Sequence, residues 1–166
     1  MLPAYLPNSV AAAVGGGTPV DAGRYWRDGR RILGDGKTIR GFAGGVAAGC
    51  FAGLLEIVTE MSGFIPFLPA HTFLSVFLLA TGSLLGDMVK SFFKRRQGID
   101  RGGEWPIIDQ YDFLAGAFCF CLIFDPGWLF ATITLPLFVA ILIITPILHR
   151  GVNIIGYKIG VKKVPW

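Results

Sequence analysis

Residues 42–61 read Phe-Ala-Gly-Gly-Val-Ala-Ala-Gly-Cys-Phe-Ala-Gly-Leu-Leu-Glu-Ile-Val-Thr-Glu-Met. About 20 apolar residues suffice to cross a bilayer as a helix, and the charges of this run, Glu56 and Glu60, come only at its far end. Gly44, Gly45, Ala47, Ala48, Gly49 and Gly53 are small enough to let neighbouring helices approach closely. A break at Gly63–Pro69 precedes a second such run, Ala70–Val89. Tyr111–Phe124 and Trp128–Leu148 make two more, divided by the turn signal Asp125–Pro126–Gly127. Pro136 and Pro146 are expected to bend the last run without ending it, since neighbouring helices can satisfy the freed carbonyls. The composition agrees: 53% of the residues are hydrophobic and 16% charged, against about 45–50% and 25% in soluble domains. The mean hydropathy is +0.60.

Met1–Val14 is apolar but short, contains Pro3 and Pro7, and lacks the basic start of a signal peptide. The expectation is an additional short span. The chain is therefore read as an all-α integral membrane protein. Residues 1–166 form a single polytopic domain with about five transmembrane helices joined by charged loops.

The net charge is +4, and the basic residues are gathered in three places. Arg24, Arg27, Arg30, Arg31, Lys37 and Arg40 precede the Phe42 run. Lys90, Lys94, Arg95, Arg96 and Arg101 follow the second, and His149, Arg150, Lys158, Lys162 and Lys163 follow the last. The turns at Gly63–Pro69 and Asp125–Gly127 carry no Lys or Arg. Basic segments stay on the cytoplasmic side. All three then face the cytoplasm of a multi-pass cell-membrane protein, with the N-terminus outside if Met1–Val14 spans. A basic balance suits a nucleic acid, an anionic membrane or a phosphate-bearing substrate. Clusters flanking apolar spans favour the last two, and no nucleic-acid module is recognisable. Cys50, Cys119 and Cys121 all lie in apolar runs and are read as small hydrophobes.

The richest segment is Gly86–Asp112. Asp87, Lys90, Ser91 and Lys94 fall at i, i+3, i+4 and i+7, one face of a helix leaving the membrane. A carboxylate at the end of an apolar span is costly without a partner or a cavity, and so marks a candidate site. Asp109 and Asp112, again three apart, open the next span just after Pro106, where the helix dipole favours anions. If the two spans pack, three carboxylates meet beside Lys90, Lys94, Arg95 and Arg96. Carboxylates mixed with a basic cluster suit Mg²⁺ bound together with polyphosphate. The bland alternative is a carboxylate neutralised by lysines at a helix end.

Gly34-Asp35-Gly36-Lys37-Thr38 ends like a P-loop, but Arg31 stands where that pattern needs Gly and no strand precedes it. It is either a phosphate-cradling loop or a turn in which Thr38 caps the next helix. Glu60 and His71 are expected near the outer end in structural roles. Glu56 and Asn8 are polar groups at membrane depth with open assignments.

The run Ser91-Phe92-Phe93-Lys94-Arg95 after Gly86-Asp87, with Asp109-Gln110-Tyr111-Asp112, resembles the signature of the phosphatidate cytidylyltransferase superfamily. Gln110 replaces a common Arg, and Trp105-Pro106-Ile107-Ile108 stands where a His-Gly-Gly element is usual. Tyr5-Leu6-Pro7-Asn8, Pro19-Val20-Asp21, Arg27-Asp28-Gly29-Arg30-Arg31, Leu33-Gly34-Asp35-Gly36-Lys37-Thr38 and Arg40-Gly41 are similar to the branch that makes CDP-archaeol. The resemblance implies CTP and an ether-lipid phosphate as substrates, with Mg²⁺ as cofactor. Asp87, Asp109 and Asp112 would bind the metal. Lys94 and Arg95 would act with those carboxylates, while Lys37, Thr38, Lys90, Ser91 and Arg96 would hold the nucleotide. Another membrane nucleotidyl- or phosphotransferase, such as a lipid kinase, remains a rival reading, as does a small transporter using carboxylates as an ion path. Against the transporter, no internal repeat is visible and the charges cluster at one face.

Overall fold

The computed structural model describes residues 1–63, 69–161 and 164. Six helices follow one another: α1 (Leu2–Val14), α2 (Ile39–Met61), α3 (Phe73–Arg96), α4 (Ile108–Phe124), α5 (Pro126–Thr132) and α6 (Leu135–Lys158). Among the described residues β structure is limited to two isolated bridges, Pro19 with Thr38 and Tyr25 with Arg31, both in the loop between α1 and α2. The expected turn at Gly63–Pro69 falls largely outside the described residues, as do Lys162 and Lys163.

Local sequence sets the helix ends. Thr38 starts α2 by accepting a hydrogen bond from Gly41 N at 3.1 Å, an N-cap of the usual kind. Thr72 and Ser75 form a reciprocal capping box, so α3 starts at Phe73 and not at Ala70. The helix then continues past Val89 to Arg96, because Lys94, Arg95 and Arg96 in its last turn complement the dipole. Pro126 opens α5 behind Asp125, whose side chain accepts from Trp128 N.

Glycines decide how closely the helices pack. Gly41, Gly45, Gly49 and Gly53 repeat at i+4 along the buried face of α2. A Cβ on Gly49 would lie 2.7 Å from Ala80 Cβ and 2.9 Å from Pro3 O. That stripe seats α1 and α3 together against α2. Between α3 and α4 the approach is tighter still: a Cβ on Gly86 would stand 2.2 Å from Asp112 O, and one on Gly116 2.3 Å from Gly82 O. Leu79, Ala117, Cys121, Trp128 and Leu129 fill the core beside this contact. α6 leans on the bundle through Ile141 against Phe113 and Leu114 and through Tyr5, whose hydroxyl meets Thr145 Oγ1 at 2.6 Å.

Among the described residues three helices, α2, α3 and α6, are long and apolar enough to cross a membrane, fewer than the five expected. α1 has 13 residues, roughly 20 Å at 1.5 Å per residue, and α4 has 17. The expected last span is broken in two. α5 stops at Thr132, and Pro136 sits in the first turn of α6, where its missing N–H costs nothing. Pro146 does lie within α6. The outward surface is apolar: Met61, Phe73, Phe130 and Leu135 are each more than 70% exposed. Such surface belongs in lipid.

The two ends of the bundle differ in chemistry. At one end Glu56 accepts from the Met1 amine at 3.0 Å and pairs with His71 Nε2 at 3.2 Å, and His71 stacks on Trp128. This buried pairing answers the open assignment of Glu56 and matches the structural role expected of His71. The other end carries the loops 15–38 and 97–107 and the charged side chains described next.

Candidate active site

The last three turns of α3 and the first turn and a half of α4 form the site. Asp87, Lys90 and Lys94 recur on one face of α3, and the Gly86–Gly116 contact brings Asp109 and Asp112 of α4 against that face. Lys90 Nζ is the point on which the carboxylates converge, 3.0 Å from Asp87 Oδ1, 3.2 Å from Asp109 Oδ1 and 2.9 Å from Asp112 Oδ2. Lys94 Nζ meets Asp109 at 2.7 Å and donates to Gly103 O at 2.7 Å. Trp105 N donates to the other oxygen of Asp109. Lys37, reaching in from the loop between α1 and α2, pairs with Asp87 Oδ2. The three aspartates and three lysines thus form one network, and all six are at least partly buried.

The other expected residues sit around this network. Ser91 Oγ donates to Asp87 O at 2.8 Å, a bond within its own helix. Thr38 is the cap of α2 and also accepts from Gly16 N, while it lines a cavity of about 70 Å³ shared with Asn8, Gly36, Lys37 and Asp87. Arg95 donates to Ile99 O, and its Nε is buried without a hydrogen-bond partner. Arg96 pairs with Asp28 at 2.9 Å, donates to Arg31 O at 2.5 Å and lies over the Phe92 ring. It ties the loop to α3.

That loop is organised by Asp21, to which the sequence analysis gave no role. Its carboxylate accepts from Leu33 N, Gly34 N and Gly23 N at 2.9–3.1 Å and from Arg31 Nη2 at 2.7 Å. Burial pushes this carboxyl up, but Arg31 and the three backbone donors outweigh it and hold the group well below the usual carboxylate range. Arg30, also missed, donates to the carbonyls of Arg95 and Arg96 at the end of α3. Trp26 packs edge-on to Phe92. Loop-to-helix contacts of this kind have no periodicity, and only the density of Arg, Asp and Gly in residues 21–36 hinted at them.

Hard oxygen donors suit a divalent cation. Asp109 Oδ1 and Asp112 Oδ2 are buried oxygens held by lysine ammoniums, positions a cation can take over, so the donor set fits the expected Mg²⁺ in chemistry. In arrangement, the carboxylates face Lys90. Among the described residues no three His, Cys, Asp or Glu side chains are grouped to hold an ion.

A solved structure described as an intramembrane enzyme for archaeal membrane lipids biosynthesis is similar to this chain, with a TM-score of 0.74 and 39% identity over 93% of this chain and 90% of that one. The fold is that of an intramembrane enzyme. The family model CarS-like, CDP-archaeol synthase, matches residues 1–166. The CDP-archaeol synthases of Methanospirillum hungatei and Methanoculleus marisnigri are 66% and 62% identical to it over the full length of both chains. The chain belongs to the CDP-archaeol synthase family, whose members are CTP-dependent nucleotidyltransferases of lipid biosynthesis.

Proposed function

We propose that the enzyme transfers the cytidylyl group of CTP to the phosphate of an unsaturated archaeal diether, 2,3-bis-O-geranylgeranylglycerol 1-phosphate, giving CDP-archaeol and pyrophosphate. The observation that carries this reading is the network of three aspartates and three lysines at one end of an apolar bundle. Such a network handles phosphate charge where a lipid headgroup can reach it. An oxygen of the lipid phosphate attacks the α-phosphorus. A new P–O bond forms, the bond to the β-phosphate's bridging oxygen breaks, and that oxygen leaves on pyrophosphate. The attacking group is already an anion, so no general base is required.

Asp87, Asp109 and Asp112 would hold Mg²⁺, whose contribution is to neutralise polyphosphate charge. Lys90 is at present the counter-ion of those carboxylates, and it is free to turn to phosphate once a stronger cation takes its place. Lys94 and Arg95 hold phosphate oxygens beside Asp109. Lys37 does so from the opposite wall, while Thr38 and Ser91 fix the backbone that presents these groups. Arg96 acts by holding the 19–38 loop against α3.

The site faces the cytoplasm, where the basic segments collect. Five passes result when α1 and α4 are counted. α1 buries Pro3, Ala4 and Pro7 inside the bundle and reaches the level of Glu56, which supports counting it as a pass with the N-terminus outside. Lipid product identified by mass spectrometry, after incubation with CTP, Mg²⁺ and candidate lipid phosphates, tests the reading. Formation of a CDP-lipid from the diether phosphate is expected. Transfer of the γ-phosphate from ATP labelled there would mark a lipid kinase instead.

A further inference from the structure

Beside the charged cavity runs a second depression of about 200 Å³, lined by Val20, Ile39, Phe42, Leu85 and Met88. Its walls are all apolar. Phe42 and Met88 also line the cavity that contains Lys37, Thr38 and Asp87, so the two spaces share a partition. On the charged side, Asn8 Oδ1 is buried with no hydrogen-bond partner. The groove lies at the end of the bundle that carries the site: Ile39 is the first residue of α2, and Leu85 and Met88 flank Asp87 in the second half of α3. Val20, from the loop, forms its outer edge.

A polar chamber opening into an apolar groove matches an amphiphile with its phosphate in one and hydrocarbon in the other. CTP has no hydrocarbon to place there. We propose that the groove takes the part of the lipid acceptor's chain next to the glycerol, so that the acceptor enters sideways between α2 and α3 and presents its phosphate on the Lys37–Asp87 side. This rests on the function proposed above and adds to it where the acceptor binds. It also alters the division of labour suggested by sequence, in which Lys37 faces the nucleotide: at the partition, Lys37 stands where both reacting phosphates must meet.

The test fills the groove from its rim. Ile39 and Val20 are 58% and 39% exposed, so Ile39→Trp and Val20→Trp add bulk without entering the core. Each buried methylene is worth about fourfold in affinity. Displacing two or more should therefore raise KM for the geranylgeranyl diether phosphate by roughly tenfold or more. KM for CTP should stay within about twofold. A diether glycerol phosphate carrying only two-carbon chains should be turned over by both variants at nearly the wild-type rate. Equal losses on the long- and short-chain lipids, a change confined to CTP, or no change on either lipid would overturn the proposal. A variant that misfolds loses both lipids together with CTP binding, and the other variant then decides. Wild-type enzyme that forms no CDP-lipid from either acceptor would sink the functional reading itself, a result distinct from groove variants that fail to discriminate chain length.

Discussion

Lys90 carries more of the site than its place in the sequence suggests. Its ammonium neutralises three carboxylates at 2.9–3.2 Å, and removing one partner of a buried ionic cluster leaves the others uncompensated. Lys90→Met should cost roughly 3–5 kcal/mol of stability, read as a lower Tm in detergent. Millimolar Mg²⁺ should restore part of that loss by replacing the missing charge, and no recovery would count against a cation site among these aspartates. Asp109→Asn and Asp112→Asn keep shape and remove charge. Both should fold and lose CTP turnover by about a hundredfold or more, with a smaller fall in Tm than Lys90→Met because two carboxylates still face Lys90. Chelation by EDTA should abolish wild-type turnover reversibly. At this scale much was legible: the i, i+3 and i+7 spacing in Asp87–Lys94 and the Asp109–Asp112 pair identified the faces that meet. What spacing does not reveal is which charge sits in the middle, because that depends on rotamers and on how closely two helices approach. The anchoring of Arg96 to Asp28 was likewise hidden, since its partner lies in a loop without pattern.

The helices α3 and α4 meet where neither has a side chain in the way. Gly86→Ala would press a methyl group onto Asp112 O, 2.2 Å from the ideal Cβ position, so the helices must separate. Overpacking of this kind costs about 1–3 kcal/mol. It also moves Asp112 away from Lys90, so turnover should fall far more than the Tm; Gly127→Ala, with nothing within 4 Å of an added Cβ, should change neither. The 19–38 loop is organised internally around one carboxylate, that of Asp21. Asp21 is more acidic folded than unfolded, so its contribution is fully present above the unfolded value of about 4. It is lost as pH falls through the lower folded value. Protection of residues 23–34 from hydrogen exchange, relative to the intrinsic rate at each pH, should therefore be high at pH 7 and fall only in strong acid, whereas Asp21→Asn should show low protection at both. Sequence patterning located the apolar runs but not their ends. The Thr72–Ser75 cap shifted the start of α3, and the stop between Thr132 and Leu135 divided a run that hydropathy reads as continuous.

Across the whole molecule, one end is paired and closed and the other is charged and open. At the first, Glu56 pairs with the Met1 amine and with His71, which stacks on Trp128. At the second, Arg30 and Arg96 fasten the loop 15–38 to the end of α3. The polarity of the protein in the membrane therefore determines which compartment supplies its water-soluble substrate. Arg24, Arg27 and Arg101, outside the ion-pair network, lie on that second end, and positive charge is retained in the cytoplasm. Single cysteines placed at Arg27 and Gln97, in a background without Cys50, Cys119 and Cys121, should react with a membrane-impermeant maleimide only after the cells are opened. A cysteine at Met61, 81% exposed at the opposite end of α2, should react in sealed cells. Because α1 begins at the level of Glu56 and ends at the loop, a tag ahead of Met1 should be reached from outside as well. Labelling of Gln97 in sealed cells would invert the molecule. The charged network would then face a compartment without CTP, and the proposed reaction would fail together with the topology.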